Sequence, residues 1–279
     1  MSAALTAAVP GRFAGQVVVI SGAARGQGRA HAVRFAAEGA DVVAFDICAP
    51  LRSPLHPAST PEDLAETARL VEAQGRRCLT AQVDARDLQG LAALAARAEA
   101  ELGRLDTLIV NHGIWAIAKN SWELEEDDWD EGIDVMLGGA WKVTKAFIPS
   151  MIRAGNGGSV ILTSSAMGQK AQPAAVAYTA AKHGVLGLMR TLAWELGDHG
   201  IRANAIMPGT IASRMTQEGG TVEQSAEWWP RFFSTDRSLL QAGWMEPDVI
   251  AAAASFLASS DAAFLTGVAL PVDAGWSTF

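Results

Sequence analysis

A strand that runs into a glycine-rich turn and then a helix restricts the possible folds of this chain more than any other feature. Val17-Val-Val-Ile20 is a β-branched run typical of a buried strand, and Ser21-Gly-Ala-Ala-Arg-Gly-Gln-Gly28 follows it directly. This order is typical of phosphate binding, because the first amides of the helix are free to bind an anion. We expect Gly22, Gly26 and Gly28 to allow the tight turn and a close approach of a pyrophosphate to the backbone. The alternative is a flexible glycine loop.

The same alternation of strand and helix continues to the C-terminus. Further strands are predicted at 41–46, 77–83, 106–110, 160–165, 201–207 and 268–272, with helices at 61–75, 87–102, 126–154, 174–198 and 247–259. Such repeats form a parallel sheet with right-handed crossovers. The chain has 279 residues, 49% of them hydrophobic, and no internal repeat or separating linker. We therefore predict an α/β fold, a doubly wound parallel sheet (Rossmann) that forms a single domain over residues 1–279.

Composition argues against several kinds of partner. The formal net charge is −8 and no basic cluster is present, which disfavours nucleic acid and anionic membrane surfaces. No apolar run approaches the roughly 20 residues that span a bilayer, and residues 1–11 lack the positive start of a signal peptide. We expect a cytoplasmic protein. Cys48 and Cys78 should lie at opposite ends of neighbouring strands, so we expect two free thiols and no metal site.

Asp46 ends the second predicted strand, eighteen residues after Gly28. An acidic residue at this spacing is expected to bind the ribose 2′-hydroxyl of a dinucleotide and to repel a 2′-phosphate, which favours NAD over NADP. Arg25 in the glycine turn favours the opposite choice, since an arginine nearby accommodates that phosphate. Its other interpretation is a solvated charge in the turn.

Tyr178-Thr-Ala-Ala-Lys182 places a phenol and an ammonium on one face of a predicted helix, because residues four apart are neighbours there. A tyrosine pKa is about 10, so proton transfer near neutral pH requires a nearby positive charge to stabilise the phenolate. Lys182 supplies that charge. Ser165 ends the buried strand that precedes this helix and can polarise a carbonyl oxygen beside the tyrosine. The spacing alone is equally compatible with an ordinary surface helix.

Two segments interrupt the regular pattern. The insertion loop, residues 48–59, contains three prolines and follows Asp46, so we expect it to cover the adenosine end of the cofactor site. Its alternative is a solvated loop that contacts nothing. The aromatic segment, residues 210–244, is unusually long for a connector, and we expect it to form a substrate lid. An oligomer contact or core packing is the alternative. Its large apolar residues include Met215, Trp228, Trp229, Pro230, Phe232, Phe233 and Trp244.

Taken together, these motifs resemble those of a short-chain dehydrogenase/reductase, over about residues 13–275. The glycine turn resembles that family's cofactor turn, Asn111-His-Gly113 its Asn-Ala-Gly element, and Ser165, Tyr178 and Lys182 its catalytic set. Pro208-Gly209 resembles the start of its nicotinamide-contacting stretch. The resemblance implies that the cofactor-binding residues are Gly22, Arg25, Gln27, Gly28, Asp46, Asp84, Asn111, Gly113, Tyr178, Lys182, Pro208, Gly209 and Ile211.

Within the family, the insertion loop and the sequence of residues 23–31 are most similar to those of the carveol-dehydrogenase-like, mycofactocin-associated branch. This implies NAD as cofactor, tightly held, and an alicyclic or terpenoid secondary alcohol as substrate. One position departs from the family: Met136 stands where its helix asparagine is expected, and a thioether cannot replace a carboxamide that helps to hold a water beside the lysine. His112 replaces the usual alanine and is either a titrating group near the cofactor or a hydrogen-bonded structural imidazole.

The function expected from these features is NAD-dependent interconversion of a secondary alcohol and its ketone. Tyr178 would be the general acid/base, Ser165 would polarise the substrate oxygen, and Lys182 would lower the tyrosine pKa and bind the nicotinamide ribose. Two alternatives remain: an NADPH-dependent ketoreductase of a biosynthetic pathway, and an NAD(H)-binding regulatory protein with little turnover, which only Met136 suggests. Family members are commonly tetramers, so we expect a homo-oligomer formed through helices 126–154 and 174–198.

Overall fold

A computed structural model describes residues 7–234 and 238–278 of the chain. Its centre is one seven-stranded sheet in the order β3-β2-β1-β4-β5-β6-β7, and every neighbouring pair is parallel. The strands are β1 Val17–Ser21, β2 Asp41–Asp46, β3 Cys78–Gln82, β4 Thr107–Val110, β5 Gly158–Thr163, β6 Ile201–Pro208 and β7 Ala269–Val272. The predicted doubly wound parallel sheet is confirmed.

Ten α-helices lie in the described part of the chain. They are α1 Gly26–Ala37, α2 Pro61–Glu72, α3 Leu88–Leu102, α4 Glu126–Ile133, α5 Gly139–Ala154, α6 Val176–Leu196, α7 Arg214–Gln217, α8 Thr221–Trp228, α9 Pro230–Phe233 and α10 Pro247–Ala258. Within residues 7–234 and 238–278, none is long and apolar enough to cross a membrane. Residues 1–6, which belong to the N-terminal segment considered for a signal peptide, lie outside the described residues.

Local sequence explains where several helices begin. Thr60 caps α2 by accepting from the Asp63 amide, and the Asp63 carboxylate in turn accepts from the Thr60 amide. Pro61 occupies the first helical position, where its missing N–H costs nothing. The Asp87 side chain caps α3 in the same way by accepting from two amides. These caps agree with the predicted helix starts.

The hydrophobic core lies on both faces of the sheet. On one face, α3, α5 and α6 contribute side chains such as Leu91, Phe147 and Met189. On the other, α1, α2 and α10 contribute Phe35, Val71 and Ile250. Burying one such side chain contributes about 1.5–3 kcal/mol, so both layers fix the strand ends that carry the polar residues.

The predicted helix 126–154 is wrong in one respect, because a π-helical turn, Asp134–Gly138, separates α4 from α5. The Gly139 amide donates to the Asp134 carbonyl five residues back instead of four. All the flanking residues keep right-handed helical dihedral angles, so the axis continues through the turn. A hydrophobic pattern does not distinguish such a turn from ordinary helix.

The cysteines agree with expectation. Cys78 begins β3 opposite Val42, whereas Cys48 follows the far end of β2, and both are free thiols. Burial raises the pKa of each thiol to about 12, with a smaller contribution from nearby carboxylates, so neither is a reactive thiolate at neutral pH.

Candidate active site

A cavity of about 800 Å³ opens at the carboxyl ends of the strands. The strand order reverses between β1 and β4, and in doubly wound sheets ligands bind at this reversal. The cavity walls include residues from the ends of β1, β2, β4, β5 and β6, together with parts of the insertion loop and of the aromatic segment. One long cleft therefore joins the glycine turn to the predicted catalytic residues.

The glycine turn at one end of the cavity requires glycine at two positions for different reasons. Gly22 has a φ of +65°, and a Cβ there would lie 2.8 Å from the His112 Cα atom. A Cβ on Gly28 would lie 1.9 Å from the Gly22 carbonyl oxygen. Gly28 thus lets α1 begin tightly against the turn but does not itself line the cavity, unlike Gly22 and Gly26.

Asp46 organises the adjoining part of the cavity. Its carboxylate accepts from the Ala24 amide at 3.1 Å, from the Cys48 amide at 3.2 Å and from the Ser59 hydroxyl at 2.6 Å. The side chain is buried, yet it still lines the cavity. A carboxylate held in this way fits recognition of a ribose diol and disfavours a 2′-phosphate.

Arg25 is directed towards the insertion loop. Its Nη2 atom donates to the Pro57 carbonyl at 2.6 Å and lies 3.1 Å from the His56 Nδ1 atom. Arg25 Nη1, Gln27 Oε1 and His56 Nε2 are buried lining atoms that have no hydrogen-bond partner among the described residues. Because buried polar groups normally have partners, these atoms fit a polar ligand such as a dinucleotide at this end.

Asp84 lies after β3, at the far side of the same end. It binds the Arg86 guanidinium, with the shortest contact at 2.7 Å. Burial raises the pKa of Asp84, but the hydrogen bonds from the Arg86 side chain and backbone outweigh it and hold the pKa below its usual value. The carboxylate is therefore charged at neutral pH.

Ser165, Tyr178 and Lys182 lie together at the other end of the cavity, as predicted. Ser165 follows β5, and its hydroxyl accepts from the Met167 amide at 3.2 Å and forms a hydrogen bond with Tyr178. Lys182 is one turn after Tyr178 on α6, and its Nζ atom lies 5.5 Å from the centre of the Tyr178 ring. That ammonium donates to the Thr163 carbonyl at 2.7 Å, which anchors it behind the tyrosine.

Burial has the largest effect on the pKa values of Tyr178 and Lys182. It raises the pKa of Tyr178, and the hydrogen bond with Ser165 offsets only part of this. It also lowers the pKa of Lys182 to about 8. The sequence predicts that Lys182 lowers the tyrosine pKa, but the main effect in this structure is the desolvation of both groups. Below about pH 8 the lysine still carries its charge.

His112 connects the glycine turn to the π-helical turn. Its Nε2 atom lies 3.1 Å from the Val135 carbonyl, and its Nδ1 atom lies 2.8 Å from the Ser21 hydroxyl. A carbonyl only accepts, so Nε2 carries the proton and Nδ1 accepts from Ser21. Burial first, and then the charge of Lys182, lowers the pKa of His112 to about 4. His112 is therefore a hydrogen-bonded structural imidazole and not a group that titrates near neutral pH.

Met136 lies in the middle of the π-helical turn and is almost completely buried. Its side chain belongs to a small apolar cluster with Ile114 and Ala181, against which Tyr178 packs. A thioether thus occupies the space beside the tyrosine where the family resemblance leads one to expect a carboxamide.

The insertion loop spans the cavity and is anchored beyond it. Ser53 donates from both its amide (2.7 Å) and its hydroxyl (2.6 Å) to the Glu131 carboxylate on α4. Arg52 forms ion pairs with Asp127 and Asp128 of the same helix. The pKa of Glu131 is lowered, since the hydrogen bonds from Ser53 and Arg52 outweigh the effect of burial. The loop therefore contacts structure at both ends rather than projecting into solvent.

The aromatic segment forms the wall opposite the sheet, and three short helices, α7 to α9, lie in it. Its residues 235–237 lie outside the described residues. It contacts the insertion loop closely, because a Cβ on Gly219 would lie 2.5 Å from the Leu55 carbonyl group. The predicted lid residues that line the cavity are Met215, Phe232, Phe233 and Trp244. Trp229 instead donates its indole N–H to the Lys119 carbonyl at 2.7 Å.

Every cofactor and catalytic residue predicted from the sequence lines this one cavity, except Gly28. Sequence reasoning missed Trp115 and Gln172, which line the same cavity. Trp115 stacks obliquely on Tyr178, with ring centres 5.9 Å apart. Only their closeness in sequence to predicted site residues could have indicated them, since Trp115 comes four residues after Asn111 and Gln172 six residues before Tyr178.

The known proteins that resemble this chain are dehydrogenases and reductases. A family model described as enoyl-(acyl carrier protein) reductase matches residues 22–277. A Mycolicibacterium smegmatis protein named as a short-chain type dehydrogenase/reductase is 45% identical over 95% of this chain and 98% of its own length. The (−)-trans-carveol dehydrogenase of Rhodococcus erythropolis is 40% identical, covering 95% of this chain and 98% of the relative. The crystal structure of a carveol dehydrogenase from Mycobacterium avium, in complex with NAD, superposes with a TM-score of 0.91 at 43% identity, covering 96% of this chain and all of that one.

Proposed function

The chain belongs to the short-chain dehydrogenase/reductase family, and we propose that it interconverts an alicyclic or terpenoid secondary alcohol and its ketone. It is an NAD-dependent oxidoreductase. The observation that carries the proposal is the single cavity in which Ser165, Tyr178 and Lys182 lie at one end and the buried Asp46 carboxylate at the other. A dinucleotide that reaches from Asp46 to the tyrosine can present its nicotinamide to a substrate there.

NAD, when bound, supplies the hydride acceptor or donor, and the side chains manage the proton. The Tyr178 hydroxyl exchanges the proton with the substrate oxygen, and the Ser165 hydroxyl bonds the same oxygen. Lys182 keeps its positive charge beside the tyrosine at neutral pH, because its pKa is about 8. It stabilises the phenolate as the proton moves, opposing the burial that raises the tyrosine pKa.

The substrate class follows from the relatives and from the wall of the cavity. The Rhodococcus erythropolis relative is named for carveol, a secondary alcohol on a ring. The cavity is lined by large apolar residues such as Ile114, Met215, Phe233 and Trp244, and Ile114 belongs to the apolar cluster against which Tyr178 packs. These suit a ring-shaped apolar molecule, and the aromatic segment serves as its lid.

We further propose that the insertion loop holds NAD in place and slows its release. The loop forms part of the cavity wall through residues that include Pro50, Pro54 and Pro57. Its anchors on Glu131 and Arg25 would have to break before a nucleotide could leave. Purified protein should therefore carry bound NAD(H).

Assembly and location complete the proposal. Trp141 on α5 and Trp194 on α6 are exposed, which supports a homotetramer through these helices. Two free thiols support a reducing compartment, the cytoplasm.

A spectrophotometric screen tests the proposal. Cyclic secondary alcohols with NAD or NADP, and the matching ketones with NADH or NADPH, are mixed with the protein and NAD(P)H absorbance is followed. We expect turnover with NAD or NADH. Asp46→Ser should reduce the preference for NAD(H) over NADP(H), because it removes a hydrogen bond to the ribose and the repulsion between the carboxylate and a 2′-phosphate. A wild-type enzyme that works better with NADP would contradict the assignment of Asp46. Absence of turnover with every pair would favour the regulatory alternative.

A further inference from the structure

Two buried N–H groups that line the cavity have no acceptor within the described part of the chain. The Trp115 Nε1 and Gln172 Nε2 atoms have no hydrogen-bond partner among residues 7–234 and 238–278. Both side chains line the cavity, and they are only 6% and 8% exposed. Most buried polar atoms in proteins have a partner, so two such donors in one site require an explanation.

The position of both residues associates them with the reacting group. Trp115 packs on Tyr178, with ring centres 5.9 Å apart and planes inclined by 41°. Gln172 lies in the connection between Ser165 and the start of α6, six residues before Tyr178. A ligand whose first oxygen is bound by Ser165 and Tyr178 therefore lies beside Trp115, in the cavity that Gln172 also lines.

The surroundings show what kind of acceptor is suitable. Ile114 packs in the apolar cluster that includes Tyr178, and the cavity wall also includes the apolar side chains of Met167, Met215, Val222 and Trp244. An apolar wall leaves a buried donor unpaired unless the ligand supplies the acceptor, and that unpaired state costs free energy. A molecule with one oxygen would leave both N–H groups in this state.

Charge indicates that the acceptor is neutral. Among the described lining residues, Lys182 is the cation beside Tyr178, and its Nζ atom already donates to the Thr163 carbonyl. His112 also lines the cavity, near Lys182, but its pKa of about 4 leaves it neutral. Of the other charged or titratable lining residues, Asp46 ends β2 and Asp84 follows β3, Arg25 and His56 contact each other, and Arg214 pairs with Asp63 of α2. A carboxylate or phosphate on the substrate would therefore compete with the Tyr178 phenolate for the Lys182 ammonium.

We propose that the substrate carries a second neutral oxygen, a hydroxyl or keto group, which accepts from Trp115 Nε1–H and Gln172 Nε2–H. This rests on the proposed function, since it extends the substrate of the same site. The substrate class is then an alicyclic diol, hydroxyketone or diketone, of which one oxygen reacts at Tyr178 and the other orients the ring. A site built to bond a substrate oxygen discriminates strongly against the analogue that lacks it.

The test compares cyclohexanol with cyclohexane-1,2-, 1,3- and 1,4-diol. We measure kcat/KM with NAD, and separately the binding of each compound to the NAD complex by calorimetry, which needs no turnover. The wild type should favour at least one diol over cyclohexanol by about tenfold or more in both measurements. Trp115→Phe, which keeps the ring and deletes the N–H, should reduce that ratio towards one. Gln172→Leu, which deletes the side-chain amide, should also reduce the diol-to-cyclohexanol ratio towards one.

The control is Trp122→Phe, because Trp122 is 82% exposed and lies outside both the cavity lining and the long helices α5 and α6. It should leave the diol-to-cyclohexanol ratio at the wild-type value. A wild type that turns over cyclohexanol as well as every diol, with a ratio unchanged in both site variants, would overturn the inference while the proposed function stands. Preferential diol binding that Trp115→Phe or Gln172→Leu abolishes, without turnover of any compound, would support the inference and contradict the proposed function.

Discussion

Two histidines and one lysine show how desolvation sets charge in this molecule. His31 on α1 is fully buried and His112 after β4 is partly buried, and desolvation lowers the pKa of each to about 4. Both are therefore neutral at physiological pH, whereas Lys182, with a pKa of about 8, remains charged. The one positive charge retained next to Tyr178 is the charge that the proposed proton transfer requires.

The same shifts predict how stability depends on pH. An unfolded histidine has a pKa near 6.5, so as the pH falls from about 6.5 to 4 the unfolded state binds protons that the folded state does not. For His31 this costs about 3 kcal/mol of unfolding free energy over that range. Both its ring nitrogens lack a partner among the described residues, so nothing offsets the cost. His31→Leu should flatten the acid limb measured by urea unfolding at several pH values.

The exposed His183 provides the matched control, because His183→Leu removes a histidine without removing a buried one. That variant should keep the wild-type slope of unfolding free energy against pH. An acid limb of equal steepness in His31→Leu and in the wild type would contradict the assigned burial effect.

Sequence motifs predicted the residues whose type and spacing are diagnostic. Tyr178, Lys182 and Asp46 belong to such patterns, and the structure brings them to one cavity. Trp115 and Gln172 were not predicted, because a single tryptophan or glutamine has no characteristic spacing. Their roles depend on which other side chains lack partners, and only the folded arrangement shows this.

Secondary structure shows the same division between local and long-range information. The bounds of β2 were predicted without error, since a β-branched run and flanking turns define them locally. The π-helical turn was missed, and so were α7 to α9 in the aromatic segment. The anchoring of the insertion loop was also invisible in the sequence, because Ser53 and Glu131 are 78 residues apart.

The insertion loop leads to a prediction about cofactor exchange. Glu131→Ala removes the acceptor of both Ser53 hydrogen bonds, which involve a charged group and contribute about 1.5–3 kcal/mol each. The NAD dissociation rate, measured by chasing bound nucleotide with labelled NAD, should rise by about tenfold or more. Replacing residues 49–58 by a short glycine-serine link should increase it further.

Glu126→Ala is the appropriate control, since Glu126 is an exposed carboxylate on the same helix. It should leave the dissociation rate near the wild-type value. Protein that is purified empty, or a loop replacement with an unchanged rate, would show that the insertion loop is a surface feature without influence on the cofactor.

The outer surfaces of α5 and α6 determine how the whole molecule can associate with other copies. Phe147 of α5 and Leu186 of α6 are buried against the sheet. Trp141 and Trp194 are instead 47% and 90% exposed. Large exposed apolar side chains on adjacent helices favour association of like chains, which burial of their rings would stabilise.

Assembly can be measured directly. Sedimentation equilibrium at micromolar concentration should give a mass that is a multiple of 29.3 kDa, and a tetramer is expected. Trp141→Glu should shift the equilibrium towards smaller species, because it would bury a charge at the contact. Val9→Glu, at a similarly exposed apolar residue, should not. A single species of chain mass in the wild type would contradict the proposed tetramer.

The central proposal is that Tyr178 acts as the acid/base in a molecule that binds NAD along the same cavity. The most direct measurement compares wild type and Tyr178→Phe for NADH formation from a cyclic secondary alcohol, with NAD affinity determined in parallel. Loss of the hydroxyl should lower kcat by about 10²- to 10⁴-fold, the usual contribution of general acid–base catalysis, while NAD affinity stays within about threefold of wild type. A Tyr178→Phe enzyme that retains about a tenth or more of wild-type turnover would show that another group moves the proton.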